Sequence, residues 1–174
     1  LTQFKTMWCN MRLIDFEEIR LLSSKLCELL RKTETEDNKF DCVIGIAKGG
    51  VIPPALVAYN LEIETFKTVQ IKSYTGDNTR SNTTFSSGTL SLFDELSKYN
   101  NILLVDDLAD SGKTLQSFEN LYKYLQGITK VPKITTACVF CKKNSDYRPD
   151  YYAELLVKDD WLVFPWEVGL ELKR

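Results

Sequence analysis

The spacing of apolar positions switches repeatedly between a helical and a strand period, and that alternation lays out the chain. Phe16, Ile19, Leu22, Leu26, Leu29 and Leu30 recur at helical spacing, with Glu17 and Glu18 early and Arg31-Lys32 late. An amphipathic helix beginning at Asp15 is therefore expected, its charges matched to the helix dipole. Residues 33–39 are polar and read as a loop. Residues 40–47 (FDCVIGIA) form an almost unbroken apolar run of strand type, which enters Lys48-Gly49-Gly50 and then a helical run through Ala58, with Pro53 and Pro54 in its first turn. Residues 65–71 read as a third strand. Four consecutive aliphatics, Ile102-Leu103-Leu104-Val105, have the signature of a strand buried on both faces of a parallel sheet. Over 114–125, Leu115, Phe118, Leu121, Tyr122 and Leu125 share one helical face, and two further strands are expected at 133–140 (KITTACVF) and 151–157. A short helical pattern spans 90–96, and residues 1–14 show only a possible edge segment. Strands alternating with helices predict an α/β fold with a mainly parallel twisted sheet flanked by helices.

Composition narrows the chemistry. At 174 residues the length favours one domain with a real core, and hydrophobic and charged contents of 44% and 26% are those of a globular chain. A net charge of −2 argues against a bulk basic surface for nucleic acid. The sequence has no histidine, which excludes Ser-His-Asp and Cys-His catalysis and His-ligated metals, so acid–base work falls to Asp, Glu, Lys or Tyr. The cysteines number five, two of them inside apolar runs, which fits reduced thiols better than a disulfide framework. Cys138-x-x-Cys141 stands alone in a strand-like run and reads as buried thiols rather than a metal pair. No apolar stretch has the length of a membrane span and no signal-peptide pattern opens the chain, so a cytoplasmic location is expected.

The chemistry concentrates where the buried strand ends. After Val105 come Asp106-Asp107-Leu108-Ala109-Asp110-Ser111-Gly112-Lys113-Thr114, then the helical segment. Ligands of open α/β sheets bind at the carboxyl ends of strands. Free N–H groups at a helix N-terminus, with Ser and Thr hydroxyls and a Lys nearby, make an anion site beside carboxylates able to hold Mg²⁺. Ser111-Gly112-Lys113-Thr114 is not a nucleoside-triphosphate loop, because that motif needs a glycine where Asp107 stands. The Lys48-Gly49-Gly50 turn fits either a second anion site or a tight structural turn.

Residues 101–115 resemble the ribose-5-phosphate-binding signature of type I phosphoribosyltransferases: a hydrophobic strand, two acids, two mostly apolar positions, Asp, Thr or Ser, Gly, any residue, Thr. Every position is filled here. The Lys48-Gly49-Gly50 loop is similar to the pyrophosphate loop of purine members, with Lys48 where Arg-Gly-Gly is common. Lys142 matches the lysine of 6-oxopurine members, with Lys143 as the alternative. The closing Trp161-x-x-x-Pro165-Trp166-Glu167 is similar to the base-binding hood of the xanthine–guanine group. The polar, aliphatic-poor segment opened by Ser73-Tyr74 stands where the family has its mobile catalytic loop; apart from the resemblance, a loose surface loop is the other reading.

The resemblance implies a single phosphoribosyltransferase domain over 1–174, with a hood from about 1–14 and 141–174 and a lid loop at 74–90. It implies transfer of 5-phosphoribosyl from PRPP to guanine, xanthine or hypoxanthine. Asp106 and Asp107 would bind the ribose hydroxyls or Mg²⁺, and Asp110 would take the proton from N7. Ala109, Ser111, Gly112, Lys113 and Thr114 would hold the 5′-phosphate, and Lys48, Gly49 and Gly50 the pyrophosphate. Lys142 would donate to O6, Trp161 would stack on the purine, the Leu162 carbonyl would face the base, and Glu167 would sit near the 2-position or the metal. The cofactor expected is Mg²⁺, the partners are small molecules rather than nucleic acid or membrane, and the assembly expected is a homodimer or homotetramer. A non-catalytic nucleotide or PRPP sensor with the same fold is the alternative.

Overall fold

The computed structural model describes residues 11–73, 83–85, 95–126 and 132–167. Its centre is a six-stranded sheet of β2 (Cys42–Ala47), β3 (Phe66–Ser73), β4 (Thr83–Phe85), β5 (Asn101–Ala109), β6 (Lys133–Lys142) and β7 (Tyr151–Leu156). The order is β4-β3-β2-β5-β6-β7, parallel throughout except for β4, which runs antiparallel to β3 at one edge. Beside the sheet, β1 (Met11–Leu13) and β8 (Trp161–Val163) form a separate parallel pair. The longer helices are α1 (Phe16–Arg31), α2 (Ile52–Asn60) and α3 (Lys113–Gln126), with short 3-10 turns at Glu36–Asn38 and Gly49–Val51.

Each element follows from its residues. Asp15 caps α1, its carboxylate accepting from the Glu18 N–H at 2.7 Å, and so meets a donor that a helix start leaves free. The aliphatic run of β5 separates by the two-residue period of a strand. Ile102 and Leu104 join Leu115, Phe118 and Tyr122 of α3 on one face. Leu103 and Val105 join Leu26, Cys27 and Leu30 of α1 and Val57 of α2 on the other. Both faces are covered, which is why β2 and β5 read as continuous apolar runs. At the opposite end from the carboxylates, Asp41 accepts from the Asn100 and Asn101 N–H groups at 2.7 and 3.1 Å and pins the start of β5.

The expected hood range from 141 onward divides in space. Tyr151–Leu156 is the last strand of the main sheet, where Ala153 and Leu156 are buried, and only β8 and its following turn join β1. Arg12 ties that small pair to the body: its guanidinium bonds Glu154 at 2.6 Å, pairs with Glu18 and lies 5.5 Å over the Phe140 ring. Within the expected lid, Thr83–Phe85 pairs with β3 as β4 rather than remaining loop, while the rest of 74–90 lies outside the described residues, as do residues 1–10 and most of the 90–96 segment. No helix among the described residues is long and apolar enough to cross a membrane.

Phe118 is fully buried between α3 and the sheet. Phe118→Ala should lower unfolding free energy by about 3–5 kcal/mol, read by denaturant titration, with m unchanged.

Candidate active site

The order in which strands are added reverses between the parallel neighbours β2 and β5. From β2 the chain moves outward through α2 to β3; from β5 it moves the other way through α3 to β6. The carboxyl ends of these two adjacent strands therefore open a crevice, the place where open α/β sheets bind ligands. Lys48-Gly49-Gly50 leaves β2 on one side of it, and Asp106-Asp107 with Asp110 leaves β5 on the other.

The two sides touch. A Cβ on Gly49 would lie 2.3 Å from Asp107 Oδ2, and one on Gly50 would lie 2.3 Å from Asp106 Oδ1. Only glycine lets this backbone meet the carboxylates so closely. The Ala47–Lys48 peptide is cis, and the Lys48 side chain is exposed at the rim.

Asp106 is buried, and the Asp107 N–H donates to its Oδ1 at 3.0 Å. Burial, then the neighbouring Asp107 charge, pushes the Asp106 carboxyl well above the ordinary aspartate range. Asp107 is raised to about 6, chiefly by desolvation, with the Glu167 charge adding to the rise and hydrogen bonds opposing it. Among the described residues no cation pairs with either carboxylate. No three acidic or thiol side chains there converge into a self-sufficient metal cage. Such a pair suits Mg²⁺, which takes one or two protein carboxylates and completes its shell with water and substrate phosphates.

Past Ala109 the chain turns at Gly112, whose φ of +75° is a left-handed conformation that glycine adopts freely. The first α3 bond runs from the Gln116 N–H to the Gly112 carbonyl at 3.0 Å, which leaves the N–H groups of the opening helical turn, at Lys113 and Thr114, without helical acceptors. The Lys113 N–H makes one long bond to Ser111 Oγ at 3.4 Å. The 143–148 loop braces this turn from behind: the Asp146 N–H donates to the Ser111 carbonyl at 3.2 Å, and a Cβ on Gly112 would strike the Tyr147 carbonyl at 2.5 Å.

Strand register brings the next pair together. Ala109 lies opposite Cys141, so Asp110 and Lys142 emerge side by side, Nζ to Oδ1 at 2.9 Å. Lys142 is the last residue of β6, which runs two residues past the expected 133–140, and its side chain is only 11% exposed against 59% for Asp110. A second carboxylate, Asp159, holds the same ammonium at 2.7 Å. Sequence reasoning missed Asp159; its signal was an acidic pair, Asp159-Asp160, just before Trp161.

At the hood, Trp161 is 64% exposed and free to meet a planar ligand. Ile14 N–H donates to the Val163 carbonyl at 2.9 Å, and successive strand carbonyls alternate in direction, so the Leu162 carbonyl faces away from β1. Glu167 accepts from the Phe164 N–H at 3.1 Å within a tight turn and lies near enough to raise Asp107. Trp166 stacks on Phe164, ring centroids 4.8 Å apart, and belongs to the hood's own packing. Ser73 ends β3, and Tyr74 lies outside the described residues. Lys143 is exposed and makes no polar side-chain contact among the described residues, unlike Lys142.

Comparison with known proteins places this geometry. The profile of the phosphoribosyl transferase domain matches residues 16–173. The chain belongs to the phosphoribosyltransferase family. It is 30% identical over 160 residues to the xanthine-guanine phosphoribosyltransferase of Ruegeria sp. (strain TM1040), covering 91% of this chain and 86% of that protein. A protein of the same name from Cereibacter sphaeroides is 28% identical over 158 residues, covering 91% and 87%. Among solved structures, the purine phosphoribosyltransferase of Pyrococcus horikoshii superposes with a TM-score of 0.69 at 28% identity, covering 90% of this chain and 93% of that one. The type I phosphoribosyltransferase fold expected from the 101–115 signature is thereby established.

Two outcomes are expected for this crevice. The folded Asp107 carboxyl holds its proton to about pH 6, above the ordinary 3.8, so the native state binds more protons than the unfolded chain across that interval. Its stabilising protonation is complete at lower pH and is lost as pH rises through about 6. Denaturant stability should accordingly fall from about pH 4 to 6, and Asp107→Asn should flatten the slope. Gly112→Ala, forced into a left-handed turn against Tyr147, should cost at least about 1–2 kcal/mol by thermal denaturation.

Proposed function

We propose that this phosphoribosyltransferase is a purine-salvage enzyme that transfers the 5-phosphoribosyl group of PRPP to a 6-oxopurine (guanine, xanthine or hypoxanthine), giving the nucleoside 5′-monophosphate and pyrophosphate. The observation that carries the reading is the Asp110–Lys142 pair at the crevice mouth, 2.9 Å apart. A carboxylate accepts protons and an ammonium only donates, so together they match the purine edge where N7–H lies beside a keto O6. An adenine amino group would offer donors to a donor. The names of the Ruegeria, Cereibacter and Pyrococcus relatives point the same way.

In this reading the opening turn of α3 binds the 5′-phosphate with the backbone N–H groups of the 111–114 segment, assisted by the Ser111 and Thr114 hydroxyls and Lys113. Lys48, Gly49 and Gly50 bind pyrophosphate. Asp106 and Asp107 face the ribose hydroxyls and are the residues that would hold Mg²⁺, whose charge offsets that of the leaving pyrophosphate. Departure of pyrophosphate leaves positive charge at the ribose carbon, and the carboxylates around the crevice favour it electrostatically. As the base nitrogen attacks that carbon, Asp110 accepts the N7 proton. Lys142 donates to O6, Trp161 stacks on the ring, the Leu162 carbonyl faces the base edge, and Glu167 stands near the 2-position. A homodimer or homotetramer is the assembly we assign, from the family.

Incubation with labelled PRPP and each of guanine, xanthine, hypoxanthine and adenine, with Mg²⁺, tests the proposal. Nucleotide should form with at least one 6-oxopurine and far more slowly with adenine. Binding of PRPP or nucleotide without any product would instead support the sensor alternative. Asp110→Asn should reduce kcat by roughly 10²–10⁴, the usual worth of a positioned general base.

A further inference from the structure

We propose that Asp159 is a positioning residue: it holds the Lys142 ammonium in place so that Asp110 is free to exchange that ammonium for the incoming base. The proposal rests on the purine-transfer reading above and adds to it a residue that touches Lys142 rather than the substrate.

Lys142 is held by two carboxylates that come from different parts of the fold. Asp110 reaches it from the end of β5 at 2.9 Å, and Asp159 reaches it from the connection between β7 and β8 at 2.7 Å. The side chains are unequally buried, with Lys142 11% exposed, Asp110 59% and Asp159 76%. A base that gives its N7 proton to Asp110 and takes a hydrogen bond from Lys142 must enter between them and break their contact. A mostly buried ammonium that loses its only countercharge is strongly disfavoured. With Asp159 in place one charge-assisted bond survives the exchange, and the ammonium, which has three donors, keeps one for O6. Without Asp159, Lys142 would rely on Asp110 alone and would compete with the base for it. Burial works against the Lys142 charge, and the bonds from Asp159 and Asp110 more than offset it, leaving its pKa above the ordinary lysine value.

The location also explains the chemistry of the closing segment. Asp159 lies two residues before Trp161, so the stretch that would carry the stacking indole also sets the position of the O6 donor. Ring stacking and edge recognition are then built on one connection between β7 and β8.

The test is a comparison of Asp159→Asn, Asp159→Glu and Asp110→Asn, with a double-mutant cycle against Lys142→Gln. Asp159→Asn should raise KM for the 6-oxopurine by about tenfold, the scale of one charge-assisted bond, while KM for PRPP stays within about twofold. Asp159→Glu should recover most of that loss. Asp110→Asn should act mainly on kcat. In the Lys142→Gln background Asp159→Asn should have no further effect. An unchanged purine KM, equal changes in both KM values, or an undiminished effect in the Lys142→Gln background would each overturn the proposal. NMR titration of labelled lysine side chains, with the Lys142 resonance identified by its loss in Lys142→Gln, reads the contact without turnover. Asp159→Asn should lower the Lys142 pKa, and an unmoved value overturns the proposal. Absence of nucleotide product from the wild-type protein with every purine would sink the transfer reading instead, and the titration would still decide whether Asp159 holds the ammonium.

Discussion

The architecture depends on keeping two adjacent carboxylates at the end of a strand buried on both faces. Asp106 follows a fully apolar run, and nothing charged among the described residues neutralises it or Asp107. Their mutual repulsion and desolvation oppose folding, so the surroundings must impose the arrangement. They do so from three sides: the β5 hydrogen-bond ladder to β2 and β6, the aliphatic packing on both faces, and the Gly49-Gly50 backbone pressed against the carboxylate oxygens. A site that costs stability in the absence of ligand is one prepared to gain from binding a cation or the hydroxyls of a sugar.

That constraint organises the neighbouring parts. The glycine turn cannot carry side chains, because Asp106 and Asp107 occupy the space. Gly112 cannot either, because the Ser145–Tyr147 segment lies against it. The two glycine turns are thus held by contact with other segments as well as by their own conformation. Lys142 lies one residue beyond the β5–β6 pairing of Ala109 with Cys141, so the strand ladder that aligns the carboxylates also aligns the donor opposite Asp110.

The hood is joined differently. The β1–β8 pair carries the exposed Trp161, and its attachment runs through Arg12, shared between Glu18 and Glu154, and through the apolar cluster of Ile14, Val139, Phe140, Leu162 and Phe164. A two-stranded pair has little stability of its own. Its position therefore comes from packing on α1, β6 and β7, which ties the exposed Trp161 to the body of the sheet.

The sequence by itself determined the alternation of strands and helices, the doubly buried β5, the Asp15 start of α1 and the acid-rich turn into α3. These are local matters: apolar periodicity, capping chemistry and glycine each act within a few residues. Family resemblance added the roles expected of Asp110, Lys142 and Trp161. Tertiary structure alone decided that Tyr151–Leu156 completes the main sheet, that Thr83–Phe85 pairs with β3, and that Lys48-Gly49-Gly50 abuts Asp106 and Asp107. It alone placed Asp159 on Lys142. Such contacts join segments far apart in the chain, and no local pattern records a partner that only the strand order brings near.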